Sequence, residues 1–369
     1  MGVFPHNPKQ RYCRVDGLGD IVQLGVWQHL PIILTKVNKM FKALIIDQAH
    51  DNAISASVEE VSEDRLPQDG EVDIAVEYST VNYKDGLCLN GLGRLVKTYP
   101  HVPGVDFAGS VINSSDDRFK PGDKVIMHGW RGGEIRWGGY ATKANEKADW
   151  LTPLPEGLSS FEAMCLGTAG FTAMLAIKRL EGDGMTPDSG EILVTGAGGG
   201  VGSVATILLA SKGYKVAAMT GRAEIADYLM GLGAARIVTR DEMLDDPGKV
   251  LESSVWGGCI DSVGGALMGR ILKQLHYGAG LASLGNAGGA ELSGNIMPFL
   301  LRGVNVFGID SVAYPMDKRA KIWQALATEM PKGPLVEMVT EIGLAELPSY
   351  GKQILEGQVR GRVVVDVNK

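Results

Sequence analysis

The spacing of hydrophobic positions changes along this chain, and each change predicts a different kind of element. Between residues 41 and 150, short apolar runs such as Val72-Asp73-Ile74-Ala75-Val76 and Lys124-Val125-Ile126-Met127 alternate with turn residues, predicting a mostly β region. Lys120-Pro121-Gly122-Asp123 marks one turn, because proline presets one dihedral and glycine permits positive φ. A long apolar helix is predicted over 159–180, capped by Ser159 or Ser160 with Glu162 in its first turn, and interrupted at Thr168-Ala169-Gly170. From Glu191 the order becomes strand (192–194), glycine-rich turn (196–202), helix (203–212) and strand (215–219). This is the βαβ unit of a doubly wound α/β sheet. Further strands are expected at 236–238, 258–261, 280–283 and 304–307, then helices after Ser311 and a closing strand at 362–367. No internal repeat or low-complexity tract interrupts this order.

Composition narrows the class. With 369 residues, 45% of them hydrophobic, the chain can bury more than one domain core. A formal net charge of -7 does not suit a general nucleic-acid binder, which needs a basic face, but leaves room for a local basic pocket. Cys13, Cys88, Cys165 and Cys259 lie far apart with no C-x-x-C pair, so no disulfide framework is expected and a reducing cytoplasm fits. No uninterrupted apolar run approaches the ~20 residues that span a bilayer, and no membrane partner is expected. Residues 1–39 carry Pro5, Pro8, Arg11, Arg14 and Lys36 without periodicity, and lack the apolar stretch and cleavage site of a signal peptide. Asp16 and Asp20 argue against a transit peptide, so this segment reads as a dispensable extension.

The turn Thr195-Gly196-Ala197-Gly198-Gly199-Gly200-Val201-Gly202 departs from a strict G-x-G-x-x-G string but meets its physical requirement. Glycines let backbone approach a pyrophosphate, and the following helix offers free N–H groups and a positive dipole end. Gly198, Gly199, Gly200, Val201 and Gly202 are therefore the candidate phosphate cradle. At the end of the second strand, NAD sites place a carboxylate for the ribose hydroxyls; here the residues are Thr220, Gly221 and Arg222. Arg222 can bond a 2′-phosphate and Thr220 can add a hydroxyl, which favours NADPH. Arg240, after the third strand, is either a contact to the same phosphate or adenine, or a solvated charge.

Several segments together resemble the medium-chain dehydrogenase/reductase superfamily: Ser79-Thr80-Val81-Asn82-Tyr83-Lys84-Asp85, Pro103-Gly104-Val105-Asp106-Phe107-Ala108-Gly109, Trp137-Gly138-Gly139-Tyr140-Ala141 and Gly167-Thr168-Ala169-Gly170-Phe171-Thr172-Ala173. Asn82-Tyr83-Lys84-Asp85-Gly86, Gly129-Trp130 and Asp310-Ser311-Val312 resemble in particular its acryloyl-CoA reductase group, which includes quinone-oxidoreductase-like proteins. The resemblance implies an α/β chain with a GroES-like β domain at 40–165, a Rossmann domain at 166–305 and a return to the catalytic domain at 306–369. Zinc relatives place a cysteine in the segment matching 82–85 and a His-Glu pair in that matching 105–106; neither is here, which implies catalysis without zinc. Alcohol oxidation loses its Lewis acid, whereas reduction of an activated C=C bond does not need one. The resemblance thus implies NADPH-dependent reduction of acryloyl-CoA to propanoyl-CoA. Quinone or general enone reduction is the alternative, and NADPH binding without catalysis a further one. Tyr83 is either a hydrogen-bond donor to substrate or nicotinamide, or a packed aromatic wall; Asp106 is expected to be structural. By resemblance, Asn286 and Ser311 line the nicotinamide side, Leu300 packs near the ring, and a homodimer forms through the edge strand at 304–307. Arg94, Lys97, Arg131 and Arg136 are candidate contacts for the phosphates of coenzyme A. His50, His101, His128 and His276 are unclustered and read as structural or surface residues.

Overall fold

The computed structural model describes residues 39–245 and 247–369, so the extension expected at 1–39 lies outside the described residues except for Lys39. Strands β1 (Met40–Gln48) and β2 (Ile54–Ser62) pair as an antiparallel hairpin. Strand β3 (Val72–Thr80) follows, then helix α1 (Tyr83–Leu89), inside the region expected to be mostly β. Next come β4 (Asp106–Ser114), β5 (Lys124–His128), β6 (Lys143–Glu146) and β7 (Leu151–Pro153). In β3 the alternation is physical: Val72, Ile74 and Val76 are buried while Asp73 and Ala75 are less so, because successive side chains point to opposite faces.

Helix α2 (Ser160–Gly182) then crosses the centre of the molecule. Ser159 caps it in a capping box, with Ser159 Oγ accepting from Glu162 N at 3.1 Å and the Glu162 carboxylate accepting from Ser159 N at 2.8 Å. The interruption falls at Gly167 (φ 51°, ψ -154°), just before the expected Thr168-Ala169-Gly170. By length and composition α2 could cross a membrane, but 83% of its apolar stretch is buried inside the protein. It packs against β3 and β4 and against strands at 280–283 and 362–366, which explains why it is apolar all round.

The second half alternates strand and helix: β8 (Glu191–Val194), α3 (Gly200–Ser211), β9 (Lys215–Thr220), α4 (Ala226–Gly231), β10 (Arg236–Thr239), α5 (Arg240–Leu244), β11 (Trp256–Asp261), α6 (Gly265–Gln274), β12 (Gly280–Ser283), α7 (Met297–Arg302) and β13 (Asn305–Gly308). These strands form a parallel six-stranded sheet in the order β10-β9-β8-β11-β12-β13. Ile192, Leu193 and Val194 are fully buried because helices cover both faces of such a sheet. Strand β13 lies at its edge and crosses the boundary expected at 305/306.

The tail holds α8 (Met316–Glu329), α9 (Lys332–Glu337), β14 (Val339–Gly343), α10 (Leu347–Leu355) and β15 (Arg362–Asp366). The chain was read as helical through this region, yet β14 is a strand, parallel to β15. Strand β15 also pairs antiparallel with β3, bringing the C-terminus back into a seven-stranded sheet of order β14-β15-β3-β4-β5-β7, with β6 on β3. Cys88, Cys165 and Cys259 are free and buried.

Candidate active site

The glycine turn sits at the C-terminal end of β8, where open α/β sheets bind ligands. Its entry is tied to β11: Thr195 Oγ1 donates to Asp261 Oδ1 at 2.6 Å and accepts from Ser262 N at 3.0 Å. Asp261 also takes Val263 N at 3.0 Å and Gly264 N at 3.1 Å, fixing the neighbouring loop. Helix α3 starts at Gly199 with no side-chain cap, so its first N–H groups are not spent on the protein's own side chains. At Gly202 a Cβ would overlap the Gly196 carbonyl, and only glycine lets helix and turn come so close. Gly198, Gly199, Gly200 and Val201 complete the concave backbone, which fits a pyrophosphate.

Thr220 ends β9 and its hydroxyl is turned inward, accepting from Arg222 N at 3.1 Å. Arg222 reaches across the turn: its guanidinium lies 3.0 Å from where a Gly198 Cβ would stand. There it donates to the carbonyls of Gln358 and Val359, at 3.0 and 3.1 Å. Gly361 N donates to Gly198 O at 3.0 Å, so residues 358–361 form a strap over the turn. Arg240 begins α5, exposed, with its side chain 3.5 Å from a Cβ placed on Gly221. Arg360 stacks on Tyr228, its guanidinium carbon 4.7 Å from the ring centre. The structure therefore brings Thr220, Gly221, Arg222 and Arg240 together beside the turn, and adds Arg360 to them.

On the other side of the cleft, Asn82 caps α1. Tyr83, the first residue of α1, is 49% exposed. Asp85 is fully buried; its oxygens accept from Val105 N at 2.9 Å and Asn82 N at 2.8 Å. Burial, and then the neighbouring Asp106 charge, push its pKa up to about 7. Asp106 is equally buried and accepts from Thr168 N (2.8 Å), Thr168 Oγ1 (2.5 Å) and Asn82 Nδ2 (2.9 Å). The break at Gly167 makes this possible, since a Cβ there would stand 2.6 Å from Asp106 Oδ2 and 2.8 Å from Arg362 Nη2. Arg362 is buried and donates to Cys165 O (3.0 Å), Asn82 Oδ1 (3.3 Å) and Thr80 Oγ1 (2.5 Å). Its Nη1 lies 3.0 Å from where a Gly200 Cβ would be, so Arg362 joins the cleft to the nucleotide turn.

A third group sits behind the cleft. Arg319 is fully buried and forms no ion pair among the described residues. It donates to the carbonyls of His128, Ser311, Val312 and Tyr314 at 2.8–3.1 Å and stacks over Trp130 at 4.7 Å. Burial lowers its pKa to about 10. His128 accepts from Trp323 Nε1 at 2.9 Å, and burial, followed by the Arg319 charge, holds its pKa well below the usual histidine range. Arg319 thereby fixes Ser311, whose hydroxyl accepts from Thr172 Oγ1 at 2.9 Å. Asn286 is exposed after β12, its Cα 3.4 Å from a Cβ placed on Gly264. Leu300 is 67% exposed on α7, and its neighbours Ile296 and Leu301 are exposed as well.

Sequence reasoning left out Arg319, Arg362, Thr168 and Asp261. Two of them left a signal. Arg319 stands on the same helical stripe as Ile322, Trp323 and Leu326, and Arg362 stands directly before three consecutive valines of its strand. A charge in an apolar pattern marks a buried, bonded group.

A β unit closed by its own C-terminal strand, beside a doubly wound sheet with a glycine turn at the cleft, defines a nucleotide-dependent dehydrogenase or reductase. The family models agree: residues 68–156 match the alcohol dehydrogenase GroES-like domain and residues 200–328 the zinc-binding dehydrogenase model. The chain is 57% identical over 330 residues to the acrylyl-CoA reductase AcuI of Ruegeria pomeroyi, covering 89% of this chain and 100% of that one. Among solved structures, the yhdH oxidoreductase of Salmonella enterica in complex with NADP is 45% identical with a TM-score of 0.86, covering 88% and 99%. The Bacillus subtilis protein yhfP with NAD bound is 43% identical with a TM-score of 0.86, covering 89% and 100%. The chain belongs to the medium-chain dehydrogenase/reductase family, in the group of the acrylyl-CoA reductases. Although the second model's description names zinc, no group of three or more His, Cys, Asp or Glu among the described residues could hold a metal ion. Both oxygens of Asp106 are committed to hydrogen bonds instead.

Proposed function

We propose that this protein reduces the C=C bond of acryloyl-CoA to give propanoyl-CoA, with NADPH as reductant. The observation that carries the reading is the 57% identity over the whole length of the Ruegeria pomeroyi acrylyl-CoA reductase. When bound, the cofactor supplies a hydride for the β carbon, and a proton completes the α carbon. The protein's part is binding and charge. The backbone of Gly198, Gly199, Gly200, Val201 and Gly202, with the N-terminus of α3, holds the pyrophosphate. Arg222 and Arg240 hold the 2′-phosphate, and Thr220 and Gly221 shape the turn that presents them. Ser311, kept in place by Thr172 and Arg319, and Asn286 line the nicotinamide side; Leu300 borders the ring. Tyr83, half exposed at the start of α1, donates to the thioester oxygen as negative charge builds there.

We assign the NADP-type rather than NAD-type site to this chain because Arg222 stands where a ribose-binding carboxylate would otherwise be. The relatives differ on this point, one structure holding NADP and another NAD. A homodimer joined through the β13 edge, in the cytoplasm, completes the reading. The test is product analysis: acryloyl-CoA and NADPH should give propanoyl-CoA and NADP+ one for one. NADPH oxidation with a small quinone but not with acryloyl-CoA would replace this reading with quinone reduction. Tight NADPH binding without turnover of either would make the protein a non-catalytic binder.

A further inference from the structure

The loop that carries Trp130 is built with more constraint than a solvated surface turn requires. Trp130 (φ 52°) and Arg131 (φ 61°) both lie in the left-handed region, which is costly for non-glycine residues. Such strain persists only where the surroundings enforce it. Here they do: Trp130 N donates to Val312 O at 3.1 Å, Gly133 N to Arg136 O at 2.9 Å, and Glu134 N to Arg131 O at 3.1 Å.

The result is a fixed cationic pair. Glu134 is 4% exposed, and its two oxygens take Lys84 Nζ at 3.1 Å and Arg131 Nε at 3.2 Å. Lys84 and Arg131 are themselves 42% and 46% exposed. Each spends one donor on Glu134, which leaves both Nη groups of Arg131 and the remaining ammonium hydrogens of Lys84 to bond a ligand. Two cations against one carboxylate leave a local positive charge on a chain of net charge -7. Arg136, a neighbour in sequence, does not belong to this face: it is 9% exposed and bound to Asp69, Glu146 and Asn145.

The pair stands at the rim of the cleft. Lys84 follows Tyr83, and Trp130 at the other end of the loop touches Val312 beside Ser311. Tyr83 and Ile135, 49% and 56% exposed, add apolar surface on the same two segments. We propose that Arg131 and Lys84, oriented by buried Glu134, are the docking site for the phosphorylated adenosine end of coenzyme A, with Tyr83 and Ile135 alongside its pantetheine arm. This rests on the acyl-CoA reading above, and it names how that substrate is told apart from a short thioester. Guanidinium and ammonium donors held by a buried carboxylate suit phosphate oxygens, which gain from charge-assisted bonds and from donors already ordered.

Two measurements decide it. Calorimetry on the NADP+-saturated protein with adenosine 3′,5′-bisphosphate should show binding that weakens about tenfold in Arg131→Gln and in Lys84→Gln. The preference for acryloyl-CoA over acryloyl-pantetheine in kcat/KM should fall by about the same factor. No binding of the bisphosphate to the wild type, or an unchanged preference in both variants, overturns the proposal. Bisphosphate binding that depends on Arg131, with neither thioester reduced, would uphold the docking site and remove the reductase reading instead.

Discussion

Residues 196–202 form a candidate ligand site from backbone alone, whereas the cleft around Asn82, Asp106, Arg319 and Arg362 is shaped by side chains drawn from distant parts of the chain. The turn needs a strand, a run of glycines and a helix N-terminus, all within about one βαβ unit. The cleft needs Asp106 to meet Thr168 and Asn82, and Arg362 to meet Thr80, across separations of up to 282 residues. Damage to the two regions should therefore look different. A change in the turn should remove binding with little loss of fold, and a change in the cleft should cost stability first.

The largest effect is expected at Arg319. Arg319→Met leaves the carbonyls of Ser311, Val312 and Tyr314 without their buried donor and should cost about 3–5 kcal/mol in urea unfolding. A loss below about 1 kcal/mol would mean that water replaces the guanidinium and that Ser311 is held some other way. Next is Gly202→Val, whose added side chain collides with the Gly196 carbonyl. NADPH affinity should drop about a hundredfold by fluorescence titration, with the melting temperature moving far less than in Arg319→Met. Equal losses of stability in the two variants would erase the distinction between the regions.

Arg222→Gln changes a side chain that stands beside the turn and also holds the strap. It should raise the Kd for NADPH about thirtyfold and leave that for NADH nearly unchanged. A matching loss for NADH would show that Arg222 acts only by holding the strap at Gln358 and Val359. A smaller effect is expected at Asp261→Asn, where the amide nitrogen must face one of two backbone N–H donors, Val263 or Gly264. Thermal or urea denaturation should show a loss of about 1.5 kcal/mol.

The pH dependence comes last and belongs to the β side of the cleft. His101 and His128 are held neutral by burial, so their folded pKa values lie below the unfolded one. The unfolded chain then binds more protons as pH falls below about 6.5, and stability present above that pH is lost on acidification. At one unit below, a histidine kept fully neutral accounts for about 1.4 kcal/mol. His128→Gln should flatten this acid limb in unfolding experiments; an unchanged slope would show that His128 does not titrate as its burial implies.

How much of this was legible in the sequence follows from the same contrast. The parallel strands could be placed within a residue or two, because a strand buried on both faces is a continuous apolar run and the glycine turn marks the register. Helix α1 and strand β14 were not, because α1 is a seven-residue helix set by the Asn82–Asp85 cap and β14 is paired by β15 from outside its own segment. At the candidate site, the candidacy of Gly198, Gly202, Thr220 and Arg222 rests on local order alone. Arg319 and Arg362 could not, since nothing nearby in the chain shows what a buried arginine will bond. Tyr83 is the intermediate case: its motif was visible, but its exposure depends on where α1 packs.

We propose that the backbone turn and Arg222 prepare this chain for NADPH while the cleft accepts an acryloyl thioester. The most direct measurement is kcat/KM for acryloyl-CoA with NADPH, set beside NADH as the alternative reductant and a small quinone as the alternative substrate. Fast turnover is expected with acryloyl-CoA and NADPH, and far slower turnover when either is exchanged. Equal rates with NADH, or turnover of the quinone alone, would contradict it.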